Sequence, residues 1–424
     1  MENKSMWEAT ANSNNGRPQL QGNQECDVVI IGGGFTGLST AYHLQQKNVR
    51  TIVLEKNYIG SGASGRNGGQ ILTGFIDSMS SLAKKKGLQT ARQMLQMSLD
   101  SIDLIEKIIQ ENDISCSFQR SGHLYAAYKP THLEWLKKEQ EELERDFNYR
   151  VQVINKGAMQ AELKSDFYHG GCIDENSASY HPFNYVLGLA DTVEKCGGTV
   201  YENSEAIRMT KDKNQKIIIE TSTGKIVADH VVIVTNAYSG DLHKTIARSV
   251  IPVESIMIAT EQLPDELVSS LIPKERAVFD TKHMLYYFRR TPDNRIAFGG
   301  SGRSIKNDTT RLFDNLQKGM NTVFPELKNH KVEYCWSGKV GFTREMLPYI
   351  GQLEDGTHFA FGYAGHGAAM STLMGKLLAE NILQENQGDN PFEKNDLKPI
   401  PFYSQHGKAV GLMKYYFKVK DAIS

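Results

Sequence analysis

Three glycines, Gly32, Gly34 and Gly37, stand where an apolar run over 28–31 gives way to an amphipathic one. Their GxGxxG spacing is typical of a dinucleotide-binding turn. The first glycine allows the tight turn, the second lets the backbone approach a phosphate, and the third lets a helix pack on a strand. The pyrophosphate is expected at the positive helix N-terminus. A second apolar run ends at Glu55, whose carboxylate can accept hydrogen bonds from adenosine ribose, and this favours an unphosphorylated ribose, as in FAD or NAD.

Two further glycine-rich segments carry groups that could meet the same ligand. The segment 60–70, GSGASGRNGGQ, is too long and irregular for a hairpin turn, and its serines, Arg66 and Asn67 suit a loop lying against a polar or anionic cofactor. Later in the chain, the apolar run 359–361 leads into GYAGHG and then into a helical pattern. This order predicts a further helix N-terminus for the cofactor.

The elements that must position these loops can be predicted from periodicity. The run VVIVTNAY, 231–238, is typical of a buried strand returning to the cofactor sheet, and MLYYFRR and RIAFGG across TPDN predict a hairpin in a second, antiparallel sheet. Apolar spacing predicts a helix over 91–109. Another helix is expected to start at Thr131, with Glu134 completing a capping box.

Composition limits the class of partner. A net charge of −1, with acids and bases mixed along 424 residues, gives no basic field for nucleic acid and favours a small molecule. The first 24 residues lack the apolar core of a signal peptide, and no run approaches the length of a membrane span. A basic helix predicted over 408–422 could touch a membrane, but docking on its own domain with lysines in solvent is the favoured interpretation.

The cysteines point to the same kind of protein. They are odd in number and scattered, with neither metal-ligand nor disulfide spacing, which predicts reduced thiols in a cytoplasmic protein without a metal site. They are Cys26, Cys116, Cys172, Cys196 and Cys335.

Five motifs occur in a fixed order: IGGGFTGLSTAYHL, IGSGASGRNGGQ, VVIVTNAY, WSG at 336–338, and GYAGHG. In this order they resemble the D-amino-acid oxidase-like family of FAD-dependent amine oxidoreductases over nearly the whole chain. The resemblance implies an α/β, Rossmann-like FAD-binding domain of interrupted sequence and an inserted α+β substrate domain built on an antiparallel sheet. The predicted ranges are 25–85, 150–245 and 335–390 for the FAD-binding domain, 86–149 and 246–334 for the substrate domain, 1–24 for an N-terminal extension, and 391–424 for a C-terminal tail and helix.

The resemblance also implies roles for individual residues. The first glycine turn would hold the pyrophosphate, Glu55 and Lys56 the ribose, and Ala206, in a predicted strand SEAIRM, the adenine. The 66–70 loop would line the flavin, and backbone donors at 365–367 would face its pyrimidine edge, where the helix dipole can stabilise negative charge. The full predicted cofactor set is Gly32, Gly34, Phe35, Thr36, Gly37, Glu55, Lys56, Ser61, Ala63, Ser64, Arg66, Asn67, Gly68, Gly69, Gln70, Ala206, Asn236, Ala237, Gly338, Gly362, Gly365, His366 and Gly367.

Departures from the family pattern refine this picture. Relatives that attach FAD covalently use a histidine or a cysteine where this chain has Asn67 and Gly338, so noncovalent FAD is expected, with Cys335 nearby in sequence. Sarcosine-type relatives place a carboxylate-binding lysine at the position of Ala369, which disfavours a simple N-methyl amino acid. The lysine that activates oxygen in those oxidases aligns near Ala297, and this leaves the electron acceptor open.

The resemblance implies hydride transfer from the carbon beside an amine nitrogen to flavin N5, hydrolysis of the imine by water, and reduction of oxygen to hydrogen peroxide. The substrate expected is an acylated diamine or a related amine. His366, Tyr287 and Gln70 are candidate catalytic residues, and His181, Tyr287 and Arg289 are candidate substrate contacts. Four of them have a structural alternative: a turn histidine for His181, a surface ion pair for Arg289, a backbone contact to the flavin for His366, and for Tyr287 the layer opposite the cavity, because Tyr286 and Tyr287 alternate along a strand.

Other functions remain open at this stage. The main alternative is an FAD-dependent amino-acid dehydrogenase that passes electrons to a carrier or quinone. A flavin-binding module for tRNA modification is disfavoured by the missing basic surface. An NAD-only enzyme leaves the 60–70 loop and GYAGHG without a role.

Overall fold

A computed structural model describes residues 4–12, 16–302, 309–385 and 388–423. Its strands are β1 (Gly22–Ile31), β2 (Thr51–Leu54), β3 (Gln70–Ile71), β4 (His123–Ala126), β5 (Gln152–Asn155), β6 (Gly170–Asp174), β7 (Ala178–Ser179), β8 (Thr199–Tyr201), β9 (Arg208–Lys211), β10 (Ile217–Glu220), β11 (Gly224–Ile233), β12 (Ile251–Thr260), β13 (Ala277–Asp280), β14 (Tyr287–Arg290), β15 (Ile296–Ser301), β16 (Val332–Phe342), β17 (Tyr349–Gln352) and β18 (His358–Phe361). Its helices are α1 (Met6–Ala9), α2 (Phe35–Gln45), α3 (Met79–Lys86), α4 (Leu88–Glu111), α5 (Pro130–Phe147), α6 (Lys156–Met159), α7 (Pro182–Lys195), α8 (Lys244–Ala247), α9 (Asp265–Leu271), α10 (Thr309–Val323), α11 (Gly367–Ile382) and α12 (His406–Ile423).

The first sheet carries the glycine turn. Its order is β17-β18-β11-β1-β2-β8, with β10 and β9 branching from β11, and β1 runs parallel to both β2 and β11. The last four residues of β1, 28–31, are buried on both faces, which explains their continuous apolar run. Helices α2, α7 and α11 pack against one another over this sheet. The two predicted strand–glycine–helix units, β1–α2 and β18–α11, therefore lie on either side of β11, and their helices pack against each other.

The second sheet has the order β16-β12-β15-β14-β13-β4-β6-β5. The predicted hairpin is present, because β14 pairs antiparallel with β15 across the turn at 291–295. The sheet is not antiparallel throughout, since β4 and β13 run parallel where two distant segments of the chain meet. Its own core contains Phe288, Phe298 and Phe324. The molecule is thus a mixed α/β protein built on two large sheets.

The packing departs from the predicted ranges at three places. Strands β5 and β6, predicted within the 150–245 segment of the first domain, belong to the second sheet, where β6 pairs with β4 and β5 pairs with β6. Strand β16 pairs with β12 there as well, although 335–390 was assigned to the first domain. Helix α4, predicted in the substrate segment 86–149, packs on α11 and joins the core of the first sheet. The apolar stripe of a helix does not specify its partner, so the sequence pattern did not indicate this packing.

Several local predictions also need correction. Helix α5 begins with Pro130 at its first turn, and its cap, Lys129, makes no side-chain hydrogen bond among the described residues, so no capping box forms. Ala206 lies in a connection before β9 and not in a strand. The N-terminal extension is partly integrated, because the Met6 and Trp7 side chains are fully buried. In contrast, α4 (Leu88–Glu111) confirms the helix predicted over 91–109.

Helix α12 docks on the second sheet through one edge. The Asp421 carboxylate accepts hydrogen bonds from the His283 and Met284 amides at 2.9 and 2.8 Å, and Phe417 stacks on the His283 ring at 5.0 Å. Its outer face leaves Leu412 and Tyr416 exposed. Among the described residues, no helix combines the length and apolar character needed to cross a membrane.

Candidate active site

A large cavity of about 1560 Å³ lies between the two sheets and reaches the N-termini of both α2 and α11. Its volume exceeds the roughly 300–1,000 Å³ of a typical small-ligand pocket. One wall is formed by the loops of the first sheet, and the other is a face of the second sheet. The cavity can therefore hold a ligand larger than an ordinary substrate, or two ligands together.

The first glycine turn is built for close approach. Gly32 has φ of +115°, a region that favours glycine, and its amide donates to the Leu54 carbonyl at 2.9 Å. A Cβ atom on Gly37 would collide with the Gly32 carbonyl oxygen, so only glycine lets α2 begin against the end of β1. The cap residue Gly34 makes no side-chain capping bond among the described residues. The start of α2 thus presents backbone to the cavity, although the Phe35 amide already donates to Ser64 Oγ at 3.0 Å.

Glu55 lies at the end of β2 beside this turn. Its Oε2 accepts the Gly33 amide at 3.0 Å and its Oε1 accepts the Asn57 amide at 3.0 Å. Burial raises the pKa of Glu55, although these hydrogen bonds oppose the shift. The neighbouring Lys56 is not free, because its Nζ pairs with Glu205 Oε1 at 2.6 Å near the cavity rim.

The 60–70 loop is ordered by its own side chains. Asn67 Nδ2 donates to the Ala63 and Ser64 carbonyls at 3.1 and 2.9 Å, and Asn67 Oδ1 accepts the Gly69 amide at 2.8 Å. Arg66 Nε donates to the Ser61 carbonyl at 2.9 Å. The buried Trp7 indole adds a 2.7 Å hydrogen bond to the Asn67 carbonyl. The asparagine found where some relatives have histidine therefore acts as a brace within the loop.

The GYAGHG turn brings a second helix N-terminus to the cavity. Gly365, His366 and Gly367 all line it, and His366 caps α11 without a side-chain capping bond among the described residues. Burial lowers the pKa of His366 to about 4, and its Nδ1 is buried without a hydrogen-bond partner in the described chain. The imidazole is consequently neutral at neutral pH.

Tyr287 and Gln70 lie together where the two walls meet. The Tyr287 hydroxyl is 2.8 Å from Ser255 Oγ, and burial raises the Tyr287 pKa to about 12. Gln70 Nε2 donates to the Phe288 and Val278 carbonyls at 2.9 and 3.3 Å, which fixes the amide across two strands. The two adjacent tyrosines diverge, since Tyr287 faces the cavity while Tyr286 packs on Phe298.

Arg289 and His181 lie outside the cavity and support the 60–70 loop from behind. Arg289 is buried and its Nη1 donates to the Gly69 and Tyr180 carbonyls at 2.8 Å each. His181 caps α7 by accepting the Asn184 amide at 3.1 Å, and its ring meets Trp7 edge to face at 5.1 Å. The expectation that these two side chains contact substrate is not met by this geometry. Their polar groups are consumed by the backbone and by neighbouring side chains.

Most of the predicted site residues nevertheless converge. Those that line the cavity are Gly32, Gly34, Phe35, Thr36, Glu55, Lys56, Ser61, Ala63, Ser64, Arg66, Asn67, Gly68, Gln70, Ala206, Asn236, Ala237, Tyr287, Gly338, Gly365, His366 and Gly367. Gly37, Gly69 and Gly362 lie behind the lining. Asn236 joins two parts of the site, because its Oδ1 accepts the Gly362 amide at 2.9 Å. Cys335 packs into the core of the second sheet and not into the cavity.

The second-sheet wall contains residues that sequence reasoning missed. Strand register sets four side chains in one row across neighbouring strands: Cys172, Tyr125, Phe279 and Tyr287. Trp135 of α5 meets the Tyr125 ring edge to face at 5.8 Å. Alternation in β4 indicates that His123 and Tyr125 share a face, but only the pairing of distant segments shows that this face lines the cavity.

The geometry fits FAD. The glycine turn and the start of α2 suit a pyrophosphate, Glu55 stands where a ribose is held in a dinucleotide fold, and the cavity continues to a second helix N-terminus suited to negative charge. Together the fold and site define a flavoenzyme. The chain belongs to the DAO family of FAD-dependent oxidoreductases, whose family model matches residues 27–381.

Three individual proteins show which members of this class the chain is similar to. The chain is 35% identical over 381 residues to the probable oxidoreductase OrdL of Haemophilus influenzae, covering 89% of this chain and 87% of that protein. It is 33% identical over 401 residues to gamma-glutamylputrescine oxidoreductase of Escherichia coli, covering 94% of this chain and 93% of the relative. In fold it is similar to glycine oxidase from Geobacillus kaustophilus, with a TM-score of 0.74, 22% identity, and coverage of 88% and 99% of the two chains.

Proposed function

We propose that this flavoenzyme is an amine oxidase that acts on gamma-glutamylputrescine or a closely related acylated diamine. The observation that carries the proposal is the 33% identity to gamma-glutamylputrescine oxidoreductase, which extends over nearly the full length of both chains. The deep cavity supports it, because its aromatic wall runs outward from Tyr287 and leaves room for an extended substrate. We place this activity in the cytoplasm, since the scattered cysteines suit a compartment that keeps thiols reduced.

In this proposal the first sheet and its loops hold FAD noncovalently, and the second sheet supplies the substrate wall. Bound FAD would supply the redox chemistry by accepting hydride at N5. The glycine turn, Glu55 and the 66–70 loop would hold the cofactor. Gly338 supports noncovalent binding because it has no side chain to offer, and a Cβ there would meet the Arg66 Cβ at 3.3 Å.

The residues around the reaction centre would stabilise negative charge and keep the reacting amine neutral. The N-terminus of α11 directs its dipole at the cavity, where negative charge develops on reduction. The neutral His366 imidazole cannot supply a full positive charge. The backbone amides at the start of α11 would therefore stabilise the negative charge. Desolvation beside the buried Tyr287 hydroxyl disfavours an ammonium ion and thereby helps to keep the reacting amine unprotonated. Hydride loss from a neutral amine does not require a dedicated base.

The alternative, an amino-acid dehydrogenase, requires a cation for the substrate carboxylate. The predicted candidate, Arg289, is held by backbone carbonyls outside the cavity, and Lys56 and Lys282 are paired with Glu205 and Asp280. The geometry therefore gives no support to the carboxylate contact predicted for Arg289. Oxygen is the proposed acceptor, and the experiment below tests it against a carrier.

The test is anaerobic reduction of the purified yellow holoenzyme. Gamma-glutamylputrescine, putrescine, spermidine, sarcosine and proline are each mixed with the protein, the flavin absorbance is followed, and air is then admitted with peroxide detection. We expect rapid bleaching by gamma-glutamylputrescine and stoichiometric peroxide. Bleaching only by an amino acid, with slow reoxidation by air, would overturn the proposal in favour of the dehydrogenase.

A further inference from the structure

The cavity extends beyond Tyr287 into a recess that the redox chemistry does not use. This aromatic recess is lined by Tyr125, Trp135, Phe279, Glu139 and Asp174. The Tyr125 and Phe279 rings stack at 4.4 Å, and the Trp135 ring stands perpendicular to Tyr125. Three aromatic rings at one end of a cavity form a surface on which a cation can bind through its attraction to the π faces.

The recess lies at a defined distance from the flavin-side wall. Phe279 is paired in register with Tyr287 on one side and with Tyr125 on the other. Adjacent strands are about 4.8 Å apart, so Tyr125 lies about 10 Å from Tyr287 along this row. Tyr287 itself packs against Gly68 of the loop assigned to the flavin, because a Cβ on Gly68 would lie 3.2 Å from the Tyr287 ring.

That spacing sets the length of the occupant. Three bonds of an extended chain advance about 3.5 Å, so a linear molecule needs about nine bonds to reach from the flavin-side wall to the recess. A small amino acid cannot bridge this distance. A diaminobutane chain extended by an acyl group can.

The carboxylates in the recess favour a positively charged group at the far end of the bound molecule. Asp174 accepts hydrogen bonds from the Thr73 and Tyr149 hydroxyls at 2.6 Å each, and these donors are neutral. Glu139 is oriented toward the N-terminus of α3, and burial raises its pKa. Neither carboxylate forms an ion pair within the described part of the chain. The ammonium of Lys282, elsewhere on the lining, is already compensated by Asp280 at 3.6 Å.

We infer that the aromatic recess binds a second cationic group of the substrate, an ammonium carried about nine bonds from the oxidised carbon. This deepens the proposed function and rests on it: the α-ammonium of a gamma-glutamyl group lies at this end of an acylated diaminobutane. Trp135 and Tyr125 provide the π faces, and Asp174 and Glu139 provide the negative potential. Recognition of the distal ammonium then distinguishes this substrate from a plain alkylamine.

The kinetic test compares two amides of 1,4-diaminobutane that differ only at the distal end. The gamma-glutamyl amide carries the α-ammonium, whereas the glutaryl amide has the same chain and carboxylate without it. We expect a KM about tenfold higher for the glutaryl amide with an unchanged kcat. Trp135→Leu is expected to reduce the KM ratio below about threefold, and Trp135→Phe to retain most of it because the π face remains. Equal KM values in the native enzyme would overturn the inference.

A binding test separates this inference from the proposed function. Gamma-glutamylbutylamide keeps the distal ammonium but lacks the terminal amine of the diaminobutane chain, which is the amine oxidised in the proposed reaction, and glutarylbutylamide is its matched control. Trp135 is the exposed tryptophan, while Trp7 and Trp336 are buried, so titration should quench a fluorescence component that Trp135→Phe removes. We expect quenching by the gamma-glutamyl compound only. Quenching without turnover of any acylated diamine would refute the function alone, and turnover with equal quenching by both compounds would refute the recess alone.

Discussion

Replacing Arg289 by methionine tests whether this side chain supports the loop or binds substrate. The guanidinium is 3% exposed and donates to the Gly69, Tyr180 and Arg290 carbonyls. Burial lowers its pKa to about 10, and no carboxylate contacts it within the described residues. Methionine fills much of the same volume but removes all three hydrogen bonds. The Gly69 end of the loop loses its anchor, while the cavity lining is unchanged.

The expected loss follows from the bond types. A hydrogen bond from a charged donor contributes about 1.5–3 kcal/mol, so the loss of all three bonds gives a gross loss of about 4.5–9 kcal/mol. Removing a buried charge recovers part of this, because the desolvation penalty disappears with the guanidinium. We expect a net decrease of about 3 kcal/mol in the free energy of unfolding. If about half of this is expressed as loop disorder in the folded protein, the Kd for FAD rises about tenfold.

The assay measures urea unfolding of the apoprotein, the Kd for FAD, and KM at saturating FAD. Arg290→Met is the matched control, since Arg290 is a neighbouring arginine whose ion-pair partners, Asp265 and Glu275, are solvent-exposed, and pairs with exposed carboxylates contribute about 1 kcal/mol or less. A support role predicts lower stability and weaker FAD binding with unchanged KM. A substrate role predicts the reverse, and a raised KM with normal stability and FAD binding would refute our reasoning.

Three other perturbations probe separate parts of the molecule. Gly37→Ala should abolish FAD retention, measured as flavin absorbance of the purified protein, because the added methyl collides with the Gly32 carbonyl. Gly388→Ala, in open space away from the cavity lining, should have no effect. Burial lowers the His181 pKa to about 4, so the unfolded chain takes up a proton below about pH 6.5 while the folded protein does not, and stability falls as pH drops through this window. His181→Asn keeps the cap and should make the loss of unfolding free energy between pH 7 and 5 about 2 kcal/mol smaller; an unchanged slope in urea titrations would contradict this. Asp421→Ala should speed tryptic cleavage within α12 without altering the flavin spectrum, because it removes the two hydrogen bonds to 283–284.

The cofactor side of the site could be predicted because its signals are local. A glycine turn needs only its own strand and helix, so the pattern at 32–37 specifies the backbone whatever surrounds it. The same holds for the β18–α11 unit, where GYAGHG leads directly into the helix. Each of these motifs specifies its own backbone conformation. Their order along the chain indicated that they contribute to one site.

The substrate side could not be predicted, because it depends on contacts between distant segments. Tyr125, Phe279 and Tyr287 become neighbours only when β4 pairs with β13 and β13 with β14. Register is set by tertiary packing, and no single segment encodes it. Arg289 and His181 show the converse problem, since polar residues beside a glycine loop suit a ligand site and a backbone anchor equally well in sequence.

The glycine pair in RIAFGG links a local sequence motif to a contact between neighbouring strands. Gly299 pairs in register with Tyr287, and a Cβ there would overlap the Tyr287 ring, so the ring lies flat over the glycine backbone. A side chain at this position would displace the Tyr287 ring, which packs beside Gly68 and whose hydroxyl is 2.8 Å from Ser255 Oγ. Gly299 therefore determines where the row of cavity-lining side chains that ends at Tyr287 meets the 60–70 loop. The sequence pattern predicted only that this glycine lies in a hairpin strand. In the structure it sets the position of Tyr287, and the distance to the aromatic recess is measured from Tyr287.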